Sequence, residues 1–250
     1  MSHSPRVSVV VPFLNRASYL PECIAALHPQ AGPGSGVELI FVDNGSTDES
    51  AAIVAAYDDI TLLSEAEPGA YAARNTGIRR ARAPIVALTD ADCAVDPDWV
   101  MALEGALRDD TCGAVVGHCR YAADASAPLR LLAAWENAKA AHAIERCGPL
   151  YRFAYANNMA VRASLFDEIG RFRSWARAAD SEWVHRLAQE RPDLRLAFCP
   201  GMRITHREFR TARQRLRRLS LYTRTNRQID GFRELRWRQR VAVAMRMLGG

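Results

Sequence analysis

Four short apolar runs punctuate the first ninety residues, each too short for a helix and each stopping at polar side chains. They are Val7–Phe13 (Val-Ser-Val-Val-Val-Pro-Phe), 37–42 (Val-Glu-Leu-Ile-Phe-Val), 60–63 (Ile-Thr-Leu-Leu) and 83–88 (Ala-Pro-Ile-Val-Ala-Leu). Runs of this length, rich in β-branched residues and without alternation, are the pattern of strands buried on both faces of a parallel sheet. Pro12 marks the end of the first, because a central strand cannot spare the donor. Between the runs lie helix-like stretches at 17–27 and 71–82, the latter opened by Pro68, and a Pro/Gly-rich loop at 29–36. Ser46 with Glu49 predicts a capping box for the helix after the second strand, with Asp48 favourable to its dipole, and Asp96 before Pro97 predicts an N-cap for a helix through Leu107. Strand alternating with helix implies a parallel sheet covered by helices on both faces.

The second half is less regular. A strand is predicted at 114–119, an amphipathic helix at 128–143 with Leu131, Leu132, Trp135 and Ala138 as its apolar positions, and a strand at 153–161 broken by the polar pair Asn157-Asn158. A short helix follows from Ser164 to Gly170. Another spans 178–187 with Asp180 and Glu182 in its opening turn, where Asp180 also fits an ordinary N-cap. A final helix places Phe209, Ala212, Leu216 and Leu219 on one stripe. These boundaries divide the chain into a domain over 1–206, with halves 1–110 and 111–206, and a basic helical tail over 207–250.

Composition narrows the class. With 250 residues, 49% hydrophobic and 24% charged, the chain can bury a full core. No run reaches the roughly 18 apolar residues of a spanning helix, and Met1-Ser2-His3-Ser4-Pro5 lacks the features of a signal peptide, so a cytoplasmic protein is expected. Six cysteines without a Cys-x-x-Cys pair suit reduced thiols. The net charge of +5 is uneven: from Gly201 onward there are fourteen arginines against Glu208, Asp230 and Glu234. That stretch suits an anionic partner.

Candidate chemistry gathers at the strand ends. Asp90 and Asp92 follow the fourth run, where open α/β sheets hold their ligands. Alone, an Asp-x-Asp pair reads more readily as a turn. Asn15, Asp43 and Asn44 also fall at carboxyl ends of strands, and their convergence favours a metal and phosphate station. Arg74, early in the third helix, either faces solvent or reaches a phosphate. His118 and His142 read as packed or solvated. The first strand is followed by Pro12-Phe13-Leu14-Asn15 and no glycine-rich or Gly-Lys-Ser/Thr loop, which speaks against dinucleotide oxidoreductases, P-loop enzymes and nucleotidyltransferases.

The ordered segments Val9 to Asn15 (Val-Val-Val-Pro-Phe-Leu-Asn), Phe41 to Asp48 (Phe-Val-Asp-Asn-Gly-Ser-Thr-Asp), Ala72 to Ile78 (Ala-Ala-Arg-Asn-Thr-Gly-Ile) and Thr89 to Asp92 (Thr-Asp-Ala-Asp) continue with Asn157 to Arg162 (Asn-Asn-Met-Ala-Val-Arg) and Phe166 to Phe172 (Phe-Asp-Glu-Ile-Gly-Arg-Phe). Together they resemble the inverting family 2 glycosyltransferases of GT-A fold, a Rossmann-like, mostly parallel sheet with flanking helices. The resemblance implies transfer of a sugar from a nucleotide-sugar donor, a UDP-sugar, to a saccharide or lipid-linked acceptor. On that likeness Pro12, Asn15, Asp43 and Asn44 would line the nucleoside pocket, with Arg74 near base or phosphates. Asp90 would face ribose and metal, Asp92 would hold Mn or Mg on the diphosphate, His206 would complete that site, and Asp180 would be the general base. Two departures stand out: Ala179 precedes Asp180 where many relatives have a second acid, leaving Glu182 to compensate, and Asn44 replaces an Asp. Gln214-Arg215-Leu216-Arg217-Arg218 lacks the Trp of polymerising relatives, so a single addition is expected. The basic tail implies peripheral contact with an anionic membrane and no nucleic acid. The remaining alternatives are a nucleotidyltransferase and a non-enzymatic basic module, the latter leaving the strand-end acids without purpose.

Overall fold

A computed structural model describes residues 4–32, 34–146 and 153–217, and within them one eight-stranded sheet carries helices on both faces. The strands are β1 (Val7–Phe13), β2 (Val37–Asp43), β3 (Ile60–Ser64), β4 (Ile85–Thr89), β5 (Cys93–Val95), β6 (Cys112–Tyr121), β7 (Asn158–Arg162) and β8 (Arg195–His206), in the spatial order β3-β2-β1-β4-β7-β6-β8-β5. The helices are α1 (Leu20–Leu27), α2 (Ser50–Ala55), α3 (Ala70–Arg80), α4 (Trp99–Ala106), α5 (Ala127–Arg146), α6 (Ser164–Glu168) and α7 (Ala179–Glu190). Every residue of β1 is buried. Val7, Val9 and Val11 enter one apolar layer with Leu20 and Ile24 of α1 and Trp99 and Leu103 of α4, and Val10 enters the other with Ile78 of α3, Phe166 of α6 and Trp183 of α7. The period-2 side-chain alternation of a strand therefore feeds two cores from one run.

β1 to β4 pair in parallel as the alternation predicts, with Phe13 opposite Asp43 and Val10 opposite Leu88. Parallel order ends there. β7 pairs antiparallel with both β4 and β6, and β8 runs parallel to β6 and antiparallel to β5. The predicted strand at 153–161 begins only at Asn158. Its first residues leave the ladder because side chains take their backbone groups: the Asp180 carboxylate accepts from Ala156 N at 2.9 Å, and Thr89 Oγ1 donates to Asn157 O at 3.0 Å. Buried Asn158 is fully engaged, accepting from Trp99 Nε1 at 2.8 Å and donating to Met202 O at 2.9 Å and His118 O at 3.1 Å.

Two predicted caps form differently. α2 starts at Ser50, and Ser46 does not cap it; Ser46 Oγ accepts from Asn15 N, while Asp48 accepts from Ser50 N and Ala17 N. Asp48 thus does the work foreseen for Ser46 and Glu49. Asp96 makes no cap bond to α4; its carboxylate pairs with Arg203 of β8 and Arg120 of β6. After β8 the chain packs Phe209 against Tyr121, Ala125 and Leu129 and turns helical at 212–217. The rest of the predicted tail helix, with Leu219, lies outside the described residues. Among the described residues no helix is long and apolar enough to cross a membrane.

Candidate active site

The carboxyl ends of β1, β2 and β4 open into a cavity of about 870 Å³, closed on its far side by α5, the segment before β7, the start of α7 and the chain after β8. Pro12, Asn15, Asn44, Arg74, Asp90, Asp92, Asp180 and His206 all line it. The site foreseen from strand ends and resemblance is thus one place in space, with Asp43 standing just behind its wall.

On the β1–β2 side the polar residues mostly build the framework. Asn15 sits at φ 51°, a left-handed conformation that Asn tolerates, and its Oδ1 accepts from Thr47 N at 2.8 Å. Asp43 Oδ1 accepts from Ser46 N at 2.9 Å, ordering the same turn. Asn44 donates to Glu65 O and Glu67 O and accepts from Gly69 N at 2.7 Å. Its amide closes the loop that leads into α3, where Gly69 takes φ 134°.

Arg74 rises from α3 beneath this floor. Its guanidinium is buried, ion-paired with Asp90 and stacked 5.1 Å from the Tyr71 ring centre, while its Nε has no hydrogen-bond partner among the described residues. Asn157 Oδ1, on the opposite wall, is likewise unpartnered. Both residues line the cavity, and both atoms are buried without a partner among the described residues.

Asp92 is buried beside His206, whose Nε2 lies 3.9 Å from Asp92 Oδ1, a proximity fixed by the β5–β8 pairing of Cys93 with His206. Burial pushes the Asp92 carboxyl upward, partly opposed by His206 and by Arg16, whose Nε is 3.8 Å away. The Asp92, Cys93 and His206 donor atoms lie within 4.8 Å of one another. Carboxylate and imidazole fit Mn²⁺ or Mg²⁺ with positions left for phosphate oxygens and water. Cys93 does not fit that set: burial holds its thiol well above the usual range, so it stays protonated and donates weakly to Asp92. His206 Nδ1 accepts from Glu208 N at 3.3 Å, so ligation through Nε2 requires the other tautomer.

Asp180 enters from the first turn of α7, after Ala178 in the left-handed region at φ 62°. It caps no helix. Its oxygens accept from Ala156 N at 2.9 Å and Ser181 N at 2.8 Å, and burial raises its carboxyl above the ordinary range against the pull of these donors, Arg74 and Tyr71. Glu182 does not line the cavity. One of its oxygens accepts from Arg173 Nε and Arg186 Nε, each at 2.8 Å, tying α7 to the loop after α6.

Four cations on the cavity wall were not among the predicted site residues: Arg16, Lys139, Arg177 and Arg215. Arg16 was visible as the residue after Asn15. Lys139 carried a countable signal, being the only lysine among 33 Lys and Arg residues.

The profile of glycosyl transferase family 2 matches residues 8–170. The chain belongs to that family. Glycosyltransferase AglE of Haloferax volcanii is 41% identical over 101 residues, 38% of this chain and 33% of that protein. The chain spans about a third of the length of the first curated relatives it matches. Among solved structures, the mannosyltransferase PcManGT from Pyrobaculum calidifontis, in complex with GDP-Man and Mn²⁺, superposes with a TM-score of 0.64 at 26% identity, covering 82% of this chain and 57% of that one. TarS 1-349 of S. aureus in complex with UDP-GlcNAc superposes at 0.61 with 17% identity, covering 82% of this chain and 59% of the other. The fold is that of GT-A glycosyltransferases, as the ordered segments imply.

Proposed function

We propose that this chain transfers a sugar from a nucleoside diphosphate sugar to an acceptor hydroxyl, with inversion at the anomeric carbon and Asp180 as general base. The observation that carries the reading is the shared cavity: Asp180 from α7 and Asp92 with His206 from the β4 and β8 ends line one space from different elements. In-line displacement needs the base and the leaving-group site apart, on opposite sides of the reacting carbon.

Pro12, Asn15 and Asn44, with Asp43 ordering the turn behind them, frame the nucleoside end, and Arg74, whose Nε has no partner among the described residues, stands on the same wall for base or phosphates. Asp92, with Asp90 and His206 adjoining, would hold Mn²⁺ or Mg²⁺. A divalent ion there supplies charge neutralisation for a departing diphosphate. Asp180 takes the proton of the attacking hydroxyl on a carboxylate oxygen that keeps a lone pair beyond the bonds to Ala156 N, Ser181 N and Tyr71. Burial raises its carboxyl, which makes the ionised form a stronger base than an exposed aspartate. The donor assigned is a UDP-sugar; the bound ligands of PcManGT and TarS, GDP-Man and UDP-GlcNAc, bracket the choice. The acceptor is a saccharide or a lipid-linked one, and the arginine-rich tail would hold the chain to an anionic membrane in a salt-sensitive way.

The test is turnover of a nucleotide-sugar library with Mn²⁺, alongside calorimetry with UDP and GDP. Metal-dependent nucleotide binding that Asp92→Ala abolishes supports the reading. Binding of equal strength without metal, or none at all, overturns it.

A further inference from the structure

Lys139 stands apart from every other cation of this protein. The sequence uses arginine wherever else it places a permanent positive side chain, and its only lysine lies on the cavity wall. Arginine is a planar fork for bidentate pairing, whereas lysine is a compact charge with three rotatable donors.

Its surroundings keep the charge available. Lys139 Nζ lies 4.8 Å from the Trp135 ring centre and 5.6 Å from that of Phe153. The acid nearest in sequence on α5, Glu136, is engaged by Arg215 at 3.1 Å, and among the described residues Lys139 forms no ion pair. Ring faces stabilise a cation without neutralising it, so the ammonium remains open to an incoming anion. Half-buried, it loses part of its hydration, which pushes its pKa below the ordinary lysine range despite Glu136.

Position separates Lys139 from the nucleoside end. Asn137, two residues earlier, accepts from Cys119 N at 2.9 Å and donates to Cys119 O at 2.7 Å, clamping α5 to β6, which two strands part from β1 in the sheet order and which lies beside the His206-bearing β8. The donor phosphates have their own cation in Arg74. Leu131 and Trp135, two turns and one turn before Lys139, are 72% and 57% exposed, so the stripe leading outward from the ammonium is apolar.

We propose that Lys139 is a specificity residue for the acceptor, its ammonium receiving an anionic group, a phosphate or carboxylate, on the molecule that is glycosylated. The inference rests on the glycosyltransferase reading and deepens it by naming the acceptor's charge. The same chemistry occurs on a soluble sugar phosphate or acid and on a lipid phosphate, and the experiment separates them.

Reductive methylation with ¹³C-formaldehyde labels one side-chain amine in this chain and retains its charge, so one methyl resonance reports on Lys139, distinguished from the α-amine by its titration. The full chain, saturated with Mg²⁺ and UDP or GDP, is titrated with glucose 1-phosphate, methyl glucuronide, neutral methyl glucoside, and dodecyl phosphate in maltoside micelles. The anionic compounds should move the resonance at concentrations at least tenfold below methyl glucoside, and the tighter of the soluble and micellar arms identifies the source. By calorimetry on unlabelled protein, Lys139→Gln should lose at least tenfold in affinity for the anionic compound and Lys139→Arg should recover most of it. Equal response to charged and neutral compounds overturns the proposal. So does a Lys139→Gln variant whose nucleotide affinity falls as far as its affinity for the anion, which would move Lys139 to the donor site. A wild-type chain that binds no nucleotide sinks the glycosyltransferase reading instead, while selective anion binding at Lys139 would still be read directly from the resonance.

Discussion

Arg74 of α3 and Asp90 at the end of β4 form an ion pair in which the guanidinium is 5% exposed and the carboxylate remains open to the cavity. Removing the cation leaves Asp90 without its counter-charge beside Asp92. Because Asp90 keeps some solvent, the loss falls below that of a fully buried pair. Arg74→Met is expected to lower unfolding stability by about 2 kcal/mol in urea titrations. Nucleotide affinity should fall by roughly tenfold if Arg74 has the proposed role, since a charged hydrogen bond to the ligand would go with it. Unchanged stability and affinity would show that the pair is idle.

Asp180 sets the expected pH dependence. Burial outweighs its backbone donors, Arg74 and Tyr71, so the folded chain holds its proton above the ordinary aspartate value of about 3.9. A general base works ionised. Activity should therefore rise with pH through a midpoint displaced upward from that value, and the group's contribution to stability should fall over the same window, because the folded state binds the proton more tightly than the unfolded one. Asp180→Asn is expected to lose at least about 100-fold in turnover while keeping nucleotide affinity within a few-fold. Profiles of kcat/KM against pH for both forms decide it; a fully active Asp180→Asn places the base elsewhere.

The first half of the fold was legible because buried parallel strands read as unbroken apolar runs, and Val7–Phe13 and Ile85–Thr89 do so. Pairing direction is not written in such a run, so antiparallel β7 could not be told from a fifth parallel strand. β8 was not foreseen, since Pro200-Gly201 interrupts it and its burial does not alternate cleanly. For the site, the convergence of polar residues at several strand ends singled out Asp90 and Asp92, whereas Asp180 came through the family resemblance, its local sequence fitting a cap it does not form. Ser46 misled for the opposite reason: in a good local motif its hydroxyl went to a longer-range partner, Asn15 N.

Glu182 tests whether the missing acid before Asp180 is replaced. Its carboxylate serves Arg173 and Arg186, and the latter also donates to the carbonyls of Ile169 and Arg171. A group so employed holds the loop after α6 and does not reach the cavity. Glu182→Gln is expected to destabilise by about 1–3 kcal/mol, through weakened charge-assisted bonds, with turnover within a few-fold of the parent at a temperature where both are folded. Turnover falling as far as in Asp180→Asn, with stability intact, would make Glu182 the second acid.

Gly117 carries the seam between β6 and β8, where the pairing shifts register between Gly117 and His118. A Cβ there would stand 2.0 Å from Met202 O and 2.4 Å from Asn158 Nδ2. Those two atoms are themselves bonded at 2.9 Å, and Asn158 also holds Trp99. A methyl group can be admitted only by driving β8 away from β6 and breaking a buried polar network, because a backbone carbonyl cannot rotate aside as a side-chain end does. Gly117→Ala should lower stability by about 3 kcal/mol or more. β8 ends at His206, four residues past Met202, so metal-dependent nucleotide binding should weaken along with the fold. Gly105 of α4, with nothing within 4 Å of its added Cβ, supplies the control: Gly105→Ala should be neutral or stabilising by up to about 1 kcal/mol. Paired thermal and urea unfolding of the two variants, with Mn²⁺-dependent nucleotide titrations on each, decides the matter. A Gly117→Ala chain as stable as its Gly105→Ala counterpart would mean that the seam is looser than its distances imply.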